Sequence, residues 1–212
     1  METINAGDLP EHNGTTSFYR EASFTVHHPF IAHAIGSSDP DSRSTNISSD
    51  AARFSINGGL TENKSHEGSE RNAMRHVTWA ATITSEYGKD IAKQVGDAHE
   101  ENPGADLTQR NFTGSNAMDQ ADQTVDLLNN IVGRQIGSDN AGASVKDLAI
   151  AALNEYHTTG LYTATVNKDG SVTIGKSKLS DKEYKADLKR INSLDANGFK
   201  PKPPEKKKNG QN

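Results

Sequence analysis

A chain of 212 residues has the length of one domain with a small appendage, and its net charge of −5 gives no general attraction to nucleic acid or to an anionic membrane surface. Only 32% of the residues are apolar and 6% aromatic, low for a globular protein, so part of the chain is expected to lie outside the core. Cysteine is absent, which excludes disulfides, thiolate nucleophiles and Cys-ligated zinc and suits folding in a reducing cytoplasm.

Residues 1–22 are polar and contain Gly and Thr, so they read as a flexible arm. Their opening, METINAGDLPEHNG, has no basic start followed by an apolar run, and no cleavable signal peptide is expected. No stretch approaches the ~18 apolar residues of a spanning helix. If this chain leaves its cell, a secretion machine must carry it. A short helix is expected from Phe24 to Ile35, with Pro29 in its first turn and Gly36 as its stop. The Ser/Asp-rich residues 37–50 read as turns, and residues 55–69, with Gly58-Gly59, as a surface loop.

Four helices follow. They are expected from about Ser69 to Tyr87, from Lys89 to Glu101, from just after Ser115 to near Gly137, and from Ser144 to His157. Asn102-Pro103-Gly104 stops the second, and Ser115 is an acceptable N-cap for the third. Leu161 to Ile174 alternates around Asn167-Lys168-Asp169-Gly170, the pattern of a β-hairpin. Ser180 and Glu183 make a capping-box signature for a last helix holding Tyr184, Leu188 and Ile191. The expected fold is therefore mainly α. Residues 23–196 would form one compact helical domain with a small hairpin, and 197–212 a disordered Lys/Pro-rich tail whose Lys206-Lys207-Lys208 run is solubilising.

Helical wheels place polar residues where a plain core would be apolar. In the first of the four helices Ala73, Met74, Val77, Ala80, Ala81 and Thr84 form a core stripe, while Arg71, Arg75, Thr78 and Thr82 share a polar face. Asn72, His76, Trp79 and Ile83 make a third line, spaced four, three and four. In the next helix His99 falls near Ala92 and is drawn toward the interior, beside Glu100. Gly96 and Ala98 would admit another backbone there. In the third helix Met118, Ala121, Val125, Leu128, Val132 and Ile136 are core. Asp122, Asp126, Asn129 and Gly133 border them at the same four-three-four spacing. Gly133 costs ~1 kcal/mol inside a helix relative to Ala, so packing or access is expected to require it.

If these lines share a cleft, His76, His99, Asp126 and Glu100 are the catalytic candidates, because a histidine oriented by a carboxylate is a standard general base. Asn129 and Arg134 could stabilise developing negative charge. Two histidines and a carboxylate could instead bind a divalent metal, although no HxxxH or HExxH spacing is present. No Ser or Thr lies in a recognisable nucleophile elbow, which favours water activation over covalent catalysis. The bland alternative is a set of buried hydrogen bonds that only hold helices together.

Three stretches carry a family resemblance. Asn72 to Trp79 resembles an (D/N)-A-(F/M)-R-H-x-x-W motif, Ala98-His99-Glu100 an A-H-E motif, and Asp126 to Arg134 a D-L-x-N-N-x-V-G-R motif. Together, over about residues 55–137, they resemble a helical bacterial domain of unknown function found in secreted proteins, including the variable ends of Rhs-type polymorphic toxins. The resemblance implies Arg75, His76, Trp79, His99, Glu100, Asp126, Asn129, Asn130, Gly133 and Arg134 as motif positions. Arg75 and Asn130 fall off the wheel lines and could brace neighbouring elements. With Asn72, the residues Arg75, Trp79, Asn129 and Arg134 form the expected substrate-binding set.

The leading expectation is a bacterial effector toxin with hydrolytic activity, made in the cytoplasm, delivered into a competitor cell and neutralised by a cognate immunity protein. Cell wall or membrane lipid is the favoured target over nucleic acid, given the acidic charge. The alternatives are a non-toxic, metal-assisted hydrolase and a non-catalytic binding or structural module.

Overall fold

Four of the helix starts among the described residues are fixed by side chains that accept the orphan N–H groups of a first turn. The computed structural model of the protein describes residues 16–61 and 67–201. In chain order its elements are α1 (Thr16–His27), α2 (Pro29–Ile35), α3 (Ile47–Asn57), α4 (Glu70–Tyr87), α5 (Lys89–His99), β1 (Asn111–Phe112), α6 (Ala117–Asp139), α7 (Val145–Thr158), β2 (Leu161–Val166), β3 (Val172–Ser177) and α8 (Asp181–Ser193). Asn46, Ser69, Ser144 and Ser180 cap α3, α4, α7 and α8 through their side chains, and Ser180 with Glu183 completes the expected capping box. The mainly helical fold with a C-terminal hairpin is present as expected.

Four local differences have physical causes. Residues 16–22, expected in the flexible arm, are the first turns of α1. The single helix expected from Phe24 to Ile35 is broken at His28 (φ −133°, ψ 57°), because the residue before Pro29 is pushed out of the α region. The stretch read as turn and loop contains α3, whose interior is polar: Ser49, Asp50, Arg53 and Ser55 are buried beside Ala51, Ala52 and Phe54. Arg53 pairs with Asp50, donates from Nε to the Asn197 carbonyl (2.7 Å) and stacks on Phe199 with its guanidinium carbon 4.0 Å from the ring centroid. The start of the expected tail is thereby docked onto α3. The rest of that tail, from residue 202, lies outside the described residues, as do residues 1–15.

α4 is the central helix and contacts α3, α5, α6, α7 and β2. It is buried on nearly every side, so Thr78 and Thr82, which the wheel places on a separate polar face, are buried too. α6 crosses it closely. A Cβ on Gly133 would lie 2.5 Å from the Val77 carbonyl oxygen, and one on Gly137 would lie 2.2 Å from that of Ala81. Close packing of backbones is therefore the reason for Gly133.

β1 adds to the hairpin to make an antiparallel sheet of order β1-β3-β2, with Tyr162 opposite Lys176 and Phe112 opposite Val172. The sheet covers α6 through Phe112, Val172 and Ile174, which meet Ala121, Val125 and Leu128. The outer edge of β2 is covered as well. The Asn129 side chain exchanges two hydrogen bonds with the Tyr162 backbone (3.0 and 3.1 Å), and the Ala164 N–H donates to the Gly68 carbonyl (2.9 Å). Among the described residues, no helix is long and apolar enough to cross a membrane.

Candidate functional site

Because α4 and α6 pack so closely, the polar residues along their seam meet in the interior. Asn72, Arg75 and His76 come from α4, and Asp122, Asp126 and Asn130 from α6. Glu100 enters from the end of α5, where it follows the last helical residue and turns the chain away. His76, Glu100 and Asp126 are 4%, 5% and 6% exposed, which removes most of the solvent that would otherwise stabilise their charges.

The hydrogen bonds form one connected network. Arg75 donates from Nη2 to Asn72 Oδ1 (2.6 Å) and to His76 Nε2 (3.1 Å). Asn72 donates from Nδ2 to Asp126 Oδ1 (2.8 Å) and to Asp122 Oδ1 (3.1 Å), and the Gly68 N–H also donates to Asp122 Oδ1 (2.5 Å). His76 Nε2 lies 3.2 Å from Asp126 Oδ2, and Nδ1 lies 3.3 Å from Asn130 Oδ1. With Nε2 accepting from Arg75, the imidazole proton belongs on Nδ1, where Asn130 receives it. Nε2 is left as a lone pair facing a carboxylate.

Burial sets the protonation of this group. It holds the Asp126 carboxyl well above the usual range, helped by the negative charges of Asp122 and Glu100. Burial likewise raises Glu100 to about 7 and Asp122 to about 6. It pushes the His76 imidazole well below its usual value, reinforced by the Arg75 and His99 charges, so His76 is neutral. Asp126 can then donate a proton from Oδ2 to Nε2. Asp122, which a solvated helix flank would explain in sequence, is instead part of the network.

His99 differs from expectation. Its side chain is 54% exposed rather than drawn inside, because it is the last residue of α5 and projects past the helix end. It donates from Nδ1 to Glu21 Oε1 (3.1 Å), and that hydrogen bond raises its affinity for a proton. Its ring centroid lies 6.3 Å from that of His76 and 5.8 Å from that of Trp79. The three rings line a cleft of about 710 Å³, together with Phe24, Pro29 and Ile35 of α1 and α2. Trp79 donates from Nε1 to Ser48 Oγ (3.0 Å) and so presents its ring to this cleft. Arg75 borders the cleft and also a smaller hollow of about 240 Å³ that reaches Asn72 and Asp122.

The expected residues thus divide. His76, Asp126, Glu100, Asn72 and Arg75 form the cluster, and His99 and Trp79 flank it on the cleft side. Asn129 does not join them: it is fully buried and both ends of its amide are used by β2. Arg134 faces Gly96 of α5, so that position admits side chains rather than the backbone expected there. Arg20 had no signal in the sequence. Its guanidinium donates to the carbonyls of Asp97 (Nε, 3.1 Å), Glu100 and Glu101 (Nη2, 3.3 Å to the last), satisfying the open C-terminal end of α5 and fixing the backbone that carries Glu100.

One donor atom each from His76, Glu100 and Asp126 lies within 4.8 Å of the other two, so this trio could hold a metal ion. No curated protein and no solved structure matches the chain significantly. A domain of unknown function, DUF6973, matches residues 43–160, a longer stretch than the expected 55–137 that takes in α3 and α7 as well as the whole α4–α6 cluster. Since that match covers more than half of the sequence, the chain belongs to the DUF6973 family.

Proposed function

We propose that this protein is a hydrolytic bacterial effector toxin, delivered into a competitor cell, that acts on a component of the cell envelope and is neutralised by a cognate immunity protein. The observation that carries the hydrolytic part is the His76–Asp126 pair, 3.2 Å apart, on the wall of a cleft large enough for a substrate. Once Arg75 and Asp126 release it, the Nε2 lone pair can take a proton from water. Glu100, raised by burial to about 7, is also poised to exchange protons at neutral pH. Arg75 and His99 offer positive charge on the same wall, where an oxyanion would develop. Phe24, Pro29, Ile35 and Trp79 give the cleft an apolar lining, which supports a lipid over nucleic acid, in keeping with the net charge of −5. The toxin context rests on the motif resemblance.

Expression in a bacterial host, with and without an added periplasmic signal, tests this reading. Growth arrest is expected in one compartment only, and His76→Ala and Glu100→Gln should each relieve it. Growth unaffected in both compartments, or arrest that survives both substitutions, overturns the proposal.

A further inference from the structure

We propose that His76, Glu100 and Asp126 bind a divalent transition-metal cation of the zinc or manganese type. The site is that of the hydrolase reading, but it rests on the cluster and not on any reaction.

Two independent observations point to a cation. One donor atom from each of the three residues lies within 4.8 Å of the others, and His76 Nε2 and Asp126 Oδ2 are already 3.2 Å apart. Donors bound at ~2.0–2.2 Å around one ion sit ~3–4 Å from each other, so only a small side-chain rotation closes the set. The second observation is Glu100 itself. It is 5% exposed, and its Oε1 has no hydrogen-bond partner among the described residues. A carboxylate oxygen taken out of water without a donor is costly, and an inner-sphere cation removes that cost.

The remaining atoms are arranged as an outer shell would be. The second ring nitrogen of His76 donates to Asn130 (3.3 Å), which orients the imidazole with Nε2 toward the carboxylates. The second oxygen of Asp126 accepts from Asn72 (2.8 Å), which leaves Oδ2 pointing at His76. Glu100, Asp122 and Asp126 place three carboxyl groups here, with the Arg75 guanidinium hydrogen-bonded to His76. A divalent ion would take the place of the proton that Asp126 shares with His76. Arg75 would then turn from Nε2 toward the cleft that it already borders.

Ligand chemistry limits the ion. An imidazole nitrogen with two carboxylates suits zinc or manganese, whereas calcium prefers six to eight oxygen ligands. Three protein ligands leave coordination positions open to water or substrate, the pattern of a catalytic rather than a structural site.

Calorimetric titration of the full chain, stripped with chelator, with Zn²⁺, Mn²⁺ and Mg²⁺ tests the site. One equivalent of Zn²⁺ should bind, more tightly than Mn²⁺ and Mg²⁺, and should raise the thermal midpoint. Glu100→Gln and Asp126→Asn should each weaken binding by ~10-fold or more. His157→Gln, in an exposed pair with Asp181, should leave it unchanged. Glu100→Gln is nearly isosteric and takes no hydrogen bond from Oε1, so its fold should persist; circular dichroism checks this. Co²⁺ added to the unaltered chain should give a visible d–d absorption band, a readout that needs no variant. No saturable one-equivalent binding of any of these ions, or binding unchanged in both carboxylate variants, overturns the site. Binding is measured without substrate, so its failure leaves the hydrolase reading to the growth assay. A harmless protein that still binds zinc would sink that reading and keep the site.

Discussion

His76 and Asn129 are both buried polar residues on the α4–α6 seam, yet their partners assign them different work. Every polar atom of the Asn129 amide that the neighbouring strand can use is engaged by the Tyr162 backbone. Asn129→Ala therefore leaves a buried N–H and C=O short of partners, at a cost of about 2–4 kcal/mol. Chemical denaturation should show that loss, while zinc affinity stays as in the parent chain; a variant of parental stability would contradict the bridging role. His76 instead shares its ring between Asn130, Arg75 and Asp126, side chains that can move protons or charge. The wheel put both residues on equivalent lines because a helical period reports direction, not partner. Asp126 and His76 lie fifty positions apart, and nothing local shows that they touch.

At the scale of elements, two devices position the site. The first is the contact between α4 and α6, made possible by Gly133 and Gly137. Alanine is the better helix former by ~1 kcal/mol, so propensity alone would make Gly137→Ala stabilising. The added Cβ would fall 2.2 Å from the Ala81 carbonyl oxygen, a backbone atom that can yield only if the helices separate. We expect Gly137→Ala to be destabilising by about 1–3 kcal/mol, measured by urea unfolding. A stabilised variant would show that the helices are not held this close. The second device is α1. Arg20 and Glu21 clamp the end of α5, and Phe24 faces the cleft from the same helix. Both α1 and α2 precede the stretch that matches the family, so one wall of the cleft is built by residues outside the family domain.

For the whole molecule, the distribution of ionisable groups predicts how stability follows pH. Burial raises Asp50 and Asp122 to about 6 and Glu100 to about 7, and it raises Asp126 and Asp187 as well. A carboxyl that holds its proton longer when folded contributes stability below its unfolded pKa and loses it as pH rises through the folded one. The lowered His76 works the other way: its contribution grows with pH and is complete once its unfolded value of 6.5 is passed. From about pH 6.5 to about pH 8 the loss from Glu100, joined by the raised His99, is therefore unopposed by His76. The thermal midpoint of chelator-treated protein should fall over that interval, and Glu100→Gln should flatten the fall. A midpoint that climbs with pH there would contradict the burial of an ionising Glu100.

The helical blocks from Glu70 onward, the hairpin and the capping box were legible in the sequence because they depend on period, caps and turns, which are local. So was much of the cluster: His76, Asp126, Glu100, Asn72 and Arg75 lie together, the last through its place in a motif rather than on a wheel. α3 was not legible, since its core-facing residues include Ser, Asp and Arg, whose burial depends on distant partners such as Asn197 and Phe199. Residues 16–22 were misjudged for the same reason: α1 is held by the end of α5, some 80 positions away. By itself the sequence determined which helices carry polar residues beside their apolar stripes. Only the tertiary structure decided which of these residues meet, since desolvation and pairing come from neighbours that the fold, not the chain order, supplies.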